Sequence, residues 1–169
     1  TNVLAPIAKV LNDLCGIERG YMTTVHAYTG DQPTQDTVHK DLYRARAAAL
    51  SMIPTSTGAA NAIGRVLPEL KGKLHGSSIR VPTPNVSVID LAVSTSREVS
   101  IDEVNDAIRQ TAAGAMSGVL AFTTEPLVSV DLNHRTESSI VALPQTDVVD
   151  GRMVRVLAWY DNEWSFATR

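Results

Sequence analysis

His26 is the first side chain of this sequence that is suited to chemistry. It lies in a run rich in β-branched and aromatic residues, Tyr21 to Tyr28, which predicts a strand ending at the Gly30-Asp31 break. A general base is usefully placed on such a rigid element beside a loop. A histidine near a strand end is also commonly a hydrogen-bonded structural residue, so this run alone leaves both interpretations open.

Three further residue types in the sequence suit the binding of anions. The run Ser56-Thr57-Gly58 precedes a short amphipathic helix, whose free N–H groups and positive dipole end attract phosphate, although Thr57 also suits a simple cap. Arg80 ends a predicted strand before Val-Pro-Thr-Pro, and a guanidinium held on such rigid backbone suits bidentate contact with phosphate or carboxylate. A solvated surface arginine is the alternative. Thr29 adds a hydroxyl on the loop after His26.

A planar amide ligand could be recognised near the C-terminal end of the chain. Asn162 lies between Trp159 and Trp164, in a polar and aromatic loop, where the tryptophans also suit a core role. The only cysteine, Cys15, fits a small buried hydrophobe, and the sequence shows no metal-ligand cluster. These residues alone therefore describe an incomplete active site, with a base and anion sites but no nucleophile.

The composition is typical of a globular protein. Of its 169 residues 44% are apolar and 20% are charged, and the net charge of −3 disfavours a general role in binding nucleic acid. No apolar run reaches the ~18 residues of a membrane span. A single cysteine excludes a disulfide framework and fits a reducing compartment, so we expect a cytoplasmic protein.

The periodicity of the sequence predicts the elements that position these side chains. Apolar spacing predicts helices over 2–14, over a short segment after Gly58, and over 101–115, the last with a capping box formed by Ser100 and Glu103. Strands are predicted over 21–28, 75–81, 86–94, 119–123, 139–143 and 153–160, with Asp150-Gly151 as a hairpin turn. The pattern indicates an α+β domain: a mostly antiparallel mixed sheet with helices packed on one face.

Several sequence blocks, in order and spanning nearly the whole chain, resemble the catalytic domain of phosphorylating glyceraldehyde-3-phosphate dehydrogenases. The blocks are Thr-Asn-Val-Leu-Ala-Pro at the start, Val-His-Ala-Tyr-Thr at 25–29, Arg-Ala-Arg-Ala-Ala-Ala at 44–49, Ile-Pro-Thr-Ser-Thr-Gly-Ala-Ala at 53–60, Arg-Val-Pro-Thr-Pro-Asn-Val-Ser at 80–87 and Trp-Tyr-Asp-Asn-Glu-Trp at 159–164. The resemblance implies that residues 1–169 form a catalytic domain that binds glyceraldehyde 3-phosphate and inorganic phosphate and assembles as a homotetramer. It also implies that loop 28–50 lines the cofactor site and contacts a neighbouring subunit.

The resemblance assigns roles to the acid–base residue and to one anion site. It implies that His26 lowers the pKa of a catalytic cysteine, acts as the general base and then stabilises the tetrahedral oxyanion. Thr29 and Arg80 would hold the C3 phosphate of the substrate.

The resemblance also assigns the second anion site and the cofactor. Thr57 and Gly58 would hold the attacking inorganic phosphate, with Arg44 and Arg80 nearby. Asn162 would bind the carboxamide of the nicotinamide. The implied cofactor is NAD. NADP is not excluded, since Thr37-Val38 stands where many NAD-specific members carry Leu-Pro.

In the resembled family the catalytic cysteine stands two residues before the position of Thr1, after a dinucleotide-binding domain, and a further helix follows the position of Arg169. We therefore expect an excised catalytic domain that is inactive alone. One alternative is erythrose-4-phosphate dehydrogenase, which releases its acid by hydrolysis. Another, for these residues by themselves, is a non-catalytic assembly or anion-binding module.

Overall fold

The structure, a computed structural model, describes residues 1–169, with the side chain of Asn61 excepted. Its helices are α1 (Leu4–Cys15), α2 (Ala59–Val66), α3 (Ile101–Ala113) and α4 (Trp164–Ala167). Its strands are β1 (Ile17–Ala27), β2 (Ile53–Ser56), β3 (Leu74–Val81), β4 (Ser87–Thr95), β5 (Leu120–Thr123), β6 (Ser139–Ala142), β7 (Asp147–Val149) and β8 (Met153–Tyr160). The predicted α+β class is confirmed.

All the strands belong to one sheet, in the order β2-β3-β1-β4-β8-β6-β5, with β7 also paired to β8. The pairing is antiparallel except between β1 and β3 and between β5 and β6, so the predicted mostly antiparallel mixed sheet is confirmed. The chain reaches β3 from β1 through a long crossover that contains loop 28–50, β2 and α2. This crossover leaves β1 and β3 parallel. Their C-terminal ends therefore lie side by side at the same end of the sheet.

The helices α1, α2 and α3 bury the main core against one face of the sheet, as predicted. Met22, Leu91 and Val156 are register partners across β1, β4 and β8, and each is no more than 1% exposed. On α1 the apolar spacing places Leu4, Ile7 and Leu11 on that face. The rigid central strands are thus held from one side by packed helices, and they carry the residues described below at their ends.

The local signals for helix ends and turns are confirmed. Gly16 ends α1 with a φ of +64°, a conformation that favours glycine. The capping box at the start of α3 is complete: Glu103 N–H donates to Ser100 Oγ, and the Ser100 N–H donates to the Glu103 carboxylate. Asp150 and Gly151 have φ values of +50° and +67°, as a tight hairpin turn between β7 and β8 requires.

Several details were not predicted from the sequence: β1 begins at Ile17 instead of Tyr21, and neither β7 nor α4 was expected. The strand β2 was not predicted, because its four residues include Pro54 and show no alternating pattern. The strands β3 and β4 are consecutive in the chain but are not neighbours in the sheet, since β1 lies between them. The helix α3 ends at Ala113, two residues before the predicted end, and Ile101 at its start is 41% exposed. The buried face of α3 is therefore shorter than the predicted helix over 101–115.

Over the described residues, no helix has both the length and the apolar character needed to cross a membrane.

Candidate active site

The parallel pairing of β1 and β3 brings His26 and Arg80 side by side, as register partners at the ends of the two strands. Arg80 Nη1 lies 2.8 Å from His26 Nδ1 and donates to the carbonyl oxygen of Ala27 at 3.0 Å. His26 Nδ1 is also 2.7 Å from the same carbonyl. The predicted base and the predicted anion-binding cation therefore lie side by side at the C-terminal ends of β1 and β3.

The side chains of His26 and Arg80 both line a pocket of about 470 Å³ at the C-terminal ends of β1 and β3. The pocket brings together most of the predicted site residues: His26, Thr29, Thr57, Arg80 and Asn162. It is also lined by residues of the chain start, of the last position of β8 and of the segment that follows: Thr1, Asn2, Val3, Tyr160, Glu163, Ser165 and Phe166. Arg44 and Gly58 do not line it, although Thr57 and Ala59 on either side of Gly58 do.

The environment of His26 keeps its imidazole neutral. Burial lowers the pKa of His26; the Ala27 carbonyl opposes that shift, and the positive charge of Arg80 adds to it. The carbonyl favours a proton on Nδ1, which leaves a lone pair on Nε2, whereas the guanidinium favours the other tautomer. Among the described side chains none bonds Nε2. In the tautomer with the proton on Nδ1, the ring is tethered through that nitrogen and has a free lone pair on Nε2, as a general base requires.

Arg80 is a partly buried cation that forms no ion pair with any described carboxylate. Its Nε is buried and has no hydrogen-bond partner. Burial lowers the pKa of the guanidinium from its ordinary value, and Asp31 only partly offsets this at a distance. An arginine in such a place retains donors for a ligand, since buried charges are normally paired.

Thr29 and Arg44 are joined by one carboxylate, that of Asp31. The Thr29 hydroxyl donates to Asp31 Oδ1, and Arg44 Nη1 donates to Asp31 Oδ2 at 2.7 Å. A second Arg44 nitrogen donates to the Thr55 hydroxyl at 3.0 Å. The hydrogen bond from the Thr29 hydroxyl lowers the pKa of Asp31, and the charge of Arg44 acts in the same direction. An incoming anion must therefore compete with the Asp31 carboxylate for the Thr29 hydroxyl.

The segment before α2 combines a local hydrogen bond with open space. The Ala59 N–H donates to the Thr57 hydroxyl at 3.2 Å, but the N-cap of α2 is Gly58, so Thr57 does not occupy the capping position that the simpler interpretation gave it. An added Cβ at Gly58 would meet nothing within 4 Å. The backbone is thus exposed to any group that approaches this end of the helix.

Asn162 is held by a short chain of hydrogen bonds. The Ala27 N–H donates to Ser87 Oγ at 3.0 Å, and Ser87 Oγ donates to Asn162 Oδ1 at 2.9 Å. The Nδ2 of Asn162 is buried and has no partner among the described residues. A planar amide or carbonyl ligand would supply the acceptor that this donor lacks.

Asp161, directly before Asn162, is fully buried and ties three segments together. Its Oδ1 accepts from the backbone N–H groups of Glu163 and Trp164, and its Oδ2 accepts from Asn85 Nδ2 and the His134 N–H. Burial acts to raise the pKa of Asp161, but the four hydrogen bonds outweigh it and lower the pKa overall.

Sequence reasoning missed Tyr160 and Ser87. Burial raises the pKa of Tyr160 to about 12, and its ring meets that of His26 edge to face, with centroids 6.0 Å apart. The alternation of β8 places Tyr160 on the helix-covered face with Val156 and Ala158, so this signal was available. Ser87 carried no motif of its own. Among the described residues no three His, Cys, Asp or Glu side chains form a group that could hold a metal.

A family model described as the C-terminal domain of glyceraldehyde 3-phosphate dehydrogenase matches residues 1–162. The chain is 66% identical, over its full 169 residues, to the glyceraldehyde-3-phosphate dehydrogenases of Cereibacter sphaeroides and Xanthobacter flavus, of which it covers 51% and 50%. It is 56% identical to glyceraldehyde-3-phosphate dehydrogenase 1 of Bacillus subtilis and covers 50% of that protein. The chain thus spans about half the length of the curated relatives it matches.

Proposed function

Because the chain belongs to the glyceraldehyde 3-phosphate dehydrogenase family, as its C-terminal domain, we propose that it is the catalytic half of an NAD-dependent enzyme. The full-length protein would convert glyceraldehyde 3-phosphate, phosphate and NAD to 1,3-bisphosphoglycerate and NADH in glycolysis. The observation that carries this proposal is the pairing in one pocket of a neutral histidine with an arginine that has no carboxylate partner among the described residues.

His26 is the proposed general base. The resemblance places a cysteine two residues before the position of Thr1, and Thr1 and Asn2 line the same pocket as His26. A thiol there would give its proton to Nε2 of His26, and the sulfur would attack the aldehyde carbon. The helix α1 begins at Leu4, directly after these lining residues, so its positive dipole end would further stabilise the thiolate.

Arg80 and Thr29 are the proposed ligands of the C3 phosphate of the substrate. A phosphate can accept from the guanidinium of Arg80 and can displace Asp31 from the Thr29 hydroxyl. This arrangement selects for a phosphorylated aldehyde, because an unphosphorylated one would leave the cation without a partner.

Inorganic phosphate is proposed to bind at Thr57 and Gly58. Arg44 lies nearby, since it donates a hydrogen bond to the hydroxyl of Thr55, two residues before Thr57. The open space over Gly58 lets an anion approach the N-terminal N–H groups of α2. This second anion site favours the phosphate-using enzyme over erythrose-4-phosphate dehydrogenase, whose product is released by water.

The pocket fits the nicotinamide of NAD at Asn162, because the buried Nδ2 of that residue lacks an acceptor and a carboxamide oxygen would provide one. When bound, the cofactor accepts a hydride from the substrate. NAD rather than NADP is the proposed cofactor, and the cytoplasm is the proposed location.

Loop 28–50 is the proposed contact with a neighbouring subunit of a homotetramer. Val38, Leu42 and Leu50 are 99%, 82% and 83% exposed, and Met52 just after the loop is 76% exposed. Apolar side chains grouped in this way are characteristic of an interface.

The proposed function is tested by assaying purified full-length protein for NAD reduction with glyceraldehyde 3-phosphate, with and without inorganic phosphate. We expect turnover that depends on phosphate and is lost in His26→Asn. Turnover with erythrose 4-phosphate that ignores phosphate would favour the alternative enzyme, and no reduction with either aldehyde would refute the proposal. The chain alone is expected to bind anions without turnover.

A further inference from the structure

We propose that Ser87 is a positioning residue that sets the orientation of the Asn162 amide, so that its NH₂ group faces the ligand. The inference rests on the proposed function, since it takes the nicotinamide carboxamide as the group that Asn162 recognises. Its own evidence is the hydrogen-bond chain from the Ala27 N–H through Ser87 Oγ to Asn162 Oδ1.

The Ser87 hydroxyl decides which end of the amide faces the pocket. Ser87 is only 1% exposed, so its hydroxyl proton needs a partner inside the protein. One lone pair of Oγ already accepts from the Ala27 N–H, and the acceptor for its proton is Asn162 Oδ1. A reversed amide would place Nδ2, a second donor, against Oγ, so that Asn162 could no longer accept the hydroxyl proton and the neighbouring Tyr160 hydroxyl would be its remaining acceptor. The serine therefore keeps Oδ1 inward and leaves Nδ2 free.

The backbone next to Ser87 is bent in a way that a β-branched residue rarely adopts. Val86 has a φ of +65° and is 3% exposed, packed in a small apolar cluster with Leu132 and Ile140. The register between β1 and β4 ends at the Val25–Val88 pair, and beyond it the Ala27 N–H donates to Ser87 Oγ. Strain of this kind is maintained where the surrounding structure requires a particular side-chain direction.

The consequence for recognition is specific. A free Nδ2 donates to a carbonyl oxygen. Asn162 should therefore bind the carbonyl oxygen of the nicotinamide carboxamide and make no contact with its NH₂ group. Because Ala27 directly follows His26, the same hydroxyl also holds the amide at a constant position relative to the base.

The test measures binding, by calorimetry, of NAD and of adenosine diphosphate ribose, which lacks the nicotinamide, to the full-length protein. In Ser87→Ala we expect NAD to bind about tenfold more weakly, the effect of one lost hydrogen bond, with adenosine diphosphate ribose unchanged. Ser87→Thr, which keeps the hydroxyl, should restore the NAD affinity. Ser94→Ala, at the far end of β4, is the matched control and should change neither affinity.

The outcomes separate the two proposals. Failure of the unmodified protein to bind either nucleotide would refute the proposed function. Binding of both, with Ser87→Ala weakening neither or weakening both equally, would overturn the role of Ser87.

A measurement on the unmodified protein covers the case in which Ser87→Ala does not fold. The 3-acetylpyridine analogue of NAD keeps the carbonyl and lacks the amide NH₂, so we expect it to bind within about twofold of NAD. An analogue affinity at least tenfold weaker would mean that the amide faces the other way, and the inference would be wrong.

Discussion

His26 and Arg80 are register partners on the parallel strands β1 and β3, and their side chains meet with 2.8 Å between Nδ1 and Nη1. The contact places a cation that lacks a carboxylate partner, within the described residues, next to an imidazole whose other nitrogen is free. The positive charge of Arg80 therefore adds to the lowering of the His26 pKa, and this effect can be measured.

Arg80→Leu should remove the proposed C3 phosphate site. We expect kcat/KM for glyceraldehyde 3-phosphate to fall about 10- to 100-fold, because charge-assisted hydrogen bonds to the phosphate are lost. Arg80→Lys should recover only part of the loss, since an ammonium cannot make the bidentate contact. Arg65→Leu, an exposed arginine on α2, serves as the control and should leave kcat/KM unchanged. Equal effects at the two positions would contradict the assignment.

Phosphate should raise the pKa of His26. Burial and the charge of Arg80 both lower that pKa, and an anion on Arg80 offsets the charge while burial remains. Titration of the His26 ring by NMR, with and without phosphate, would measure the shift. In Arg80→Met the pKa should rise without phosphate and become insensitive to it. A His26 pKa that phosphate leaves unchanged in the unmodified protein would show that the anion does not bind at Arg80.

Gly58→Ala should separate binding from stability. The new methyl group meets no atom within 4 Å and the backbone φ is −82°, so the free energy of unfolding should change by less than about 1 kcal/mol. The methyl group would nevertheless occupy the space through which inorganic phosphate is proposed to approach. The KM for phosphate should therefore rise about tenfold. Gly30→Ala is the matched control, since its position is also open. An unchanged phosphate KM in Gly58→Ala would remove this site from the proposal.

Asp161→Asn should destabilise the chain and disturb Asn162. The fully buried carboxylate accepts four N–H groups, and an amide would turn a donor towards some of them, at a cost of about 2–4 kcal/mol in the free energy of unfolding. Urea denaturation would measure this. Asp106→Asn, which breaks an exposed ion pair on α3, should cost less than about 1 kcal/mol.

The pH dependence of stability follows from the same carboxylate. The pKa of Asp161 is lower in the folded than in the unfolded chain, so its contribution is complete above the ordinary aspartate pKa of about 3.9 and is lost as the pH falls through the folded-state pKa. The lowered pKa of His26 acts in the same sense, since the unfolded chain takes up a proton first as the pH falls below about 6.5. Stability that increased on acidification from about pH 7 to 5 would contradict the assignment of His26, and stability that increased below about pH 4 would contradict that of Asp161.

Leu42→Glu combined with Leu50→Glu should weaken association of the full-length protein. Both side chains are more than four-fifths exposed in the chain alone, and each would lose apolar contact in the proposed interface. Sedimentation velocity should show a dissociation constant at least about tenfold higher. Val130→Glu, another exposed apolar position, is the control. Unchanged association would place the interface elsewhere.

Local signals in the sequence were sufficient for much of the fold. The apolar spacing of α1, the capping box of α3 and the Asp150-Gly151 turn each specify their element within a few residues, because they act through neighbours in the chain. The position of β1 between β3 and β4 was not predictable in this way. It depends on packing between residues far apart in sequence.

For the site, the sequence identified side chains but not their relationships. His26 and Arg80 were recognised separately as a base and an anion ligand, and only the parallel register makes them neighbours. Ser87 had no detectable signal, since a serine at the start of a strand is unremarkable until Ala27 and Asn162 are placed around it. The engagement of Thr29 by Asp31 was likewise hidden, because it depends on the path of a loop.

The parallel pairing of β1 and β3 also determines when the site can form during folding. His26 and Arg80 are 54 residues apart in sequence, so their contact closes a long loop whose entropic cost must be met before any local gain. Neither side chain can acquire its partner until the crossover has closed and β3 has joined the sheet. We therefore expect the site to form late in folding. Loss of β3 from the sheet would separate Arg80 from His26, so that the anion ligand and the base would no longer share one pocket.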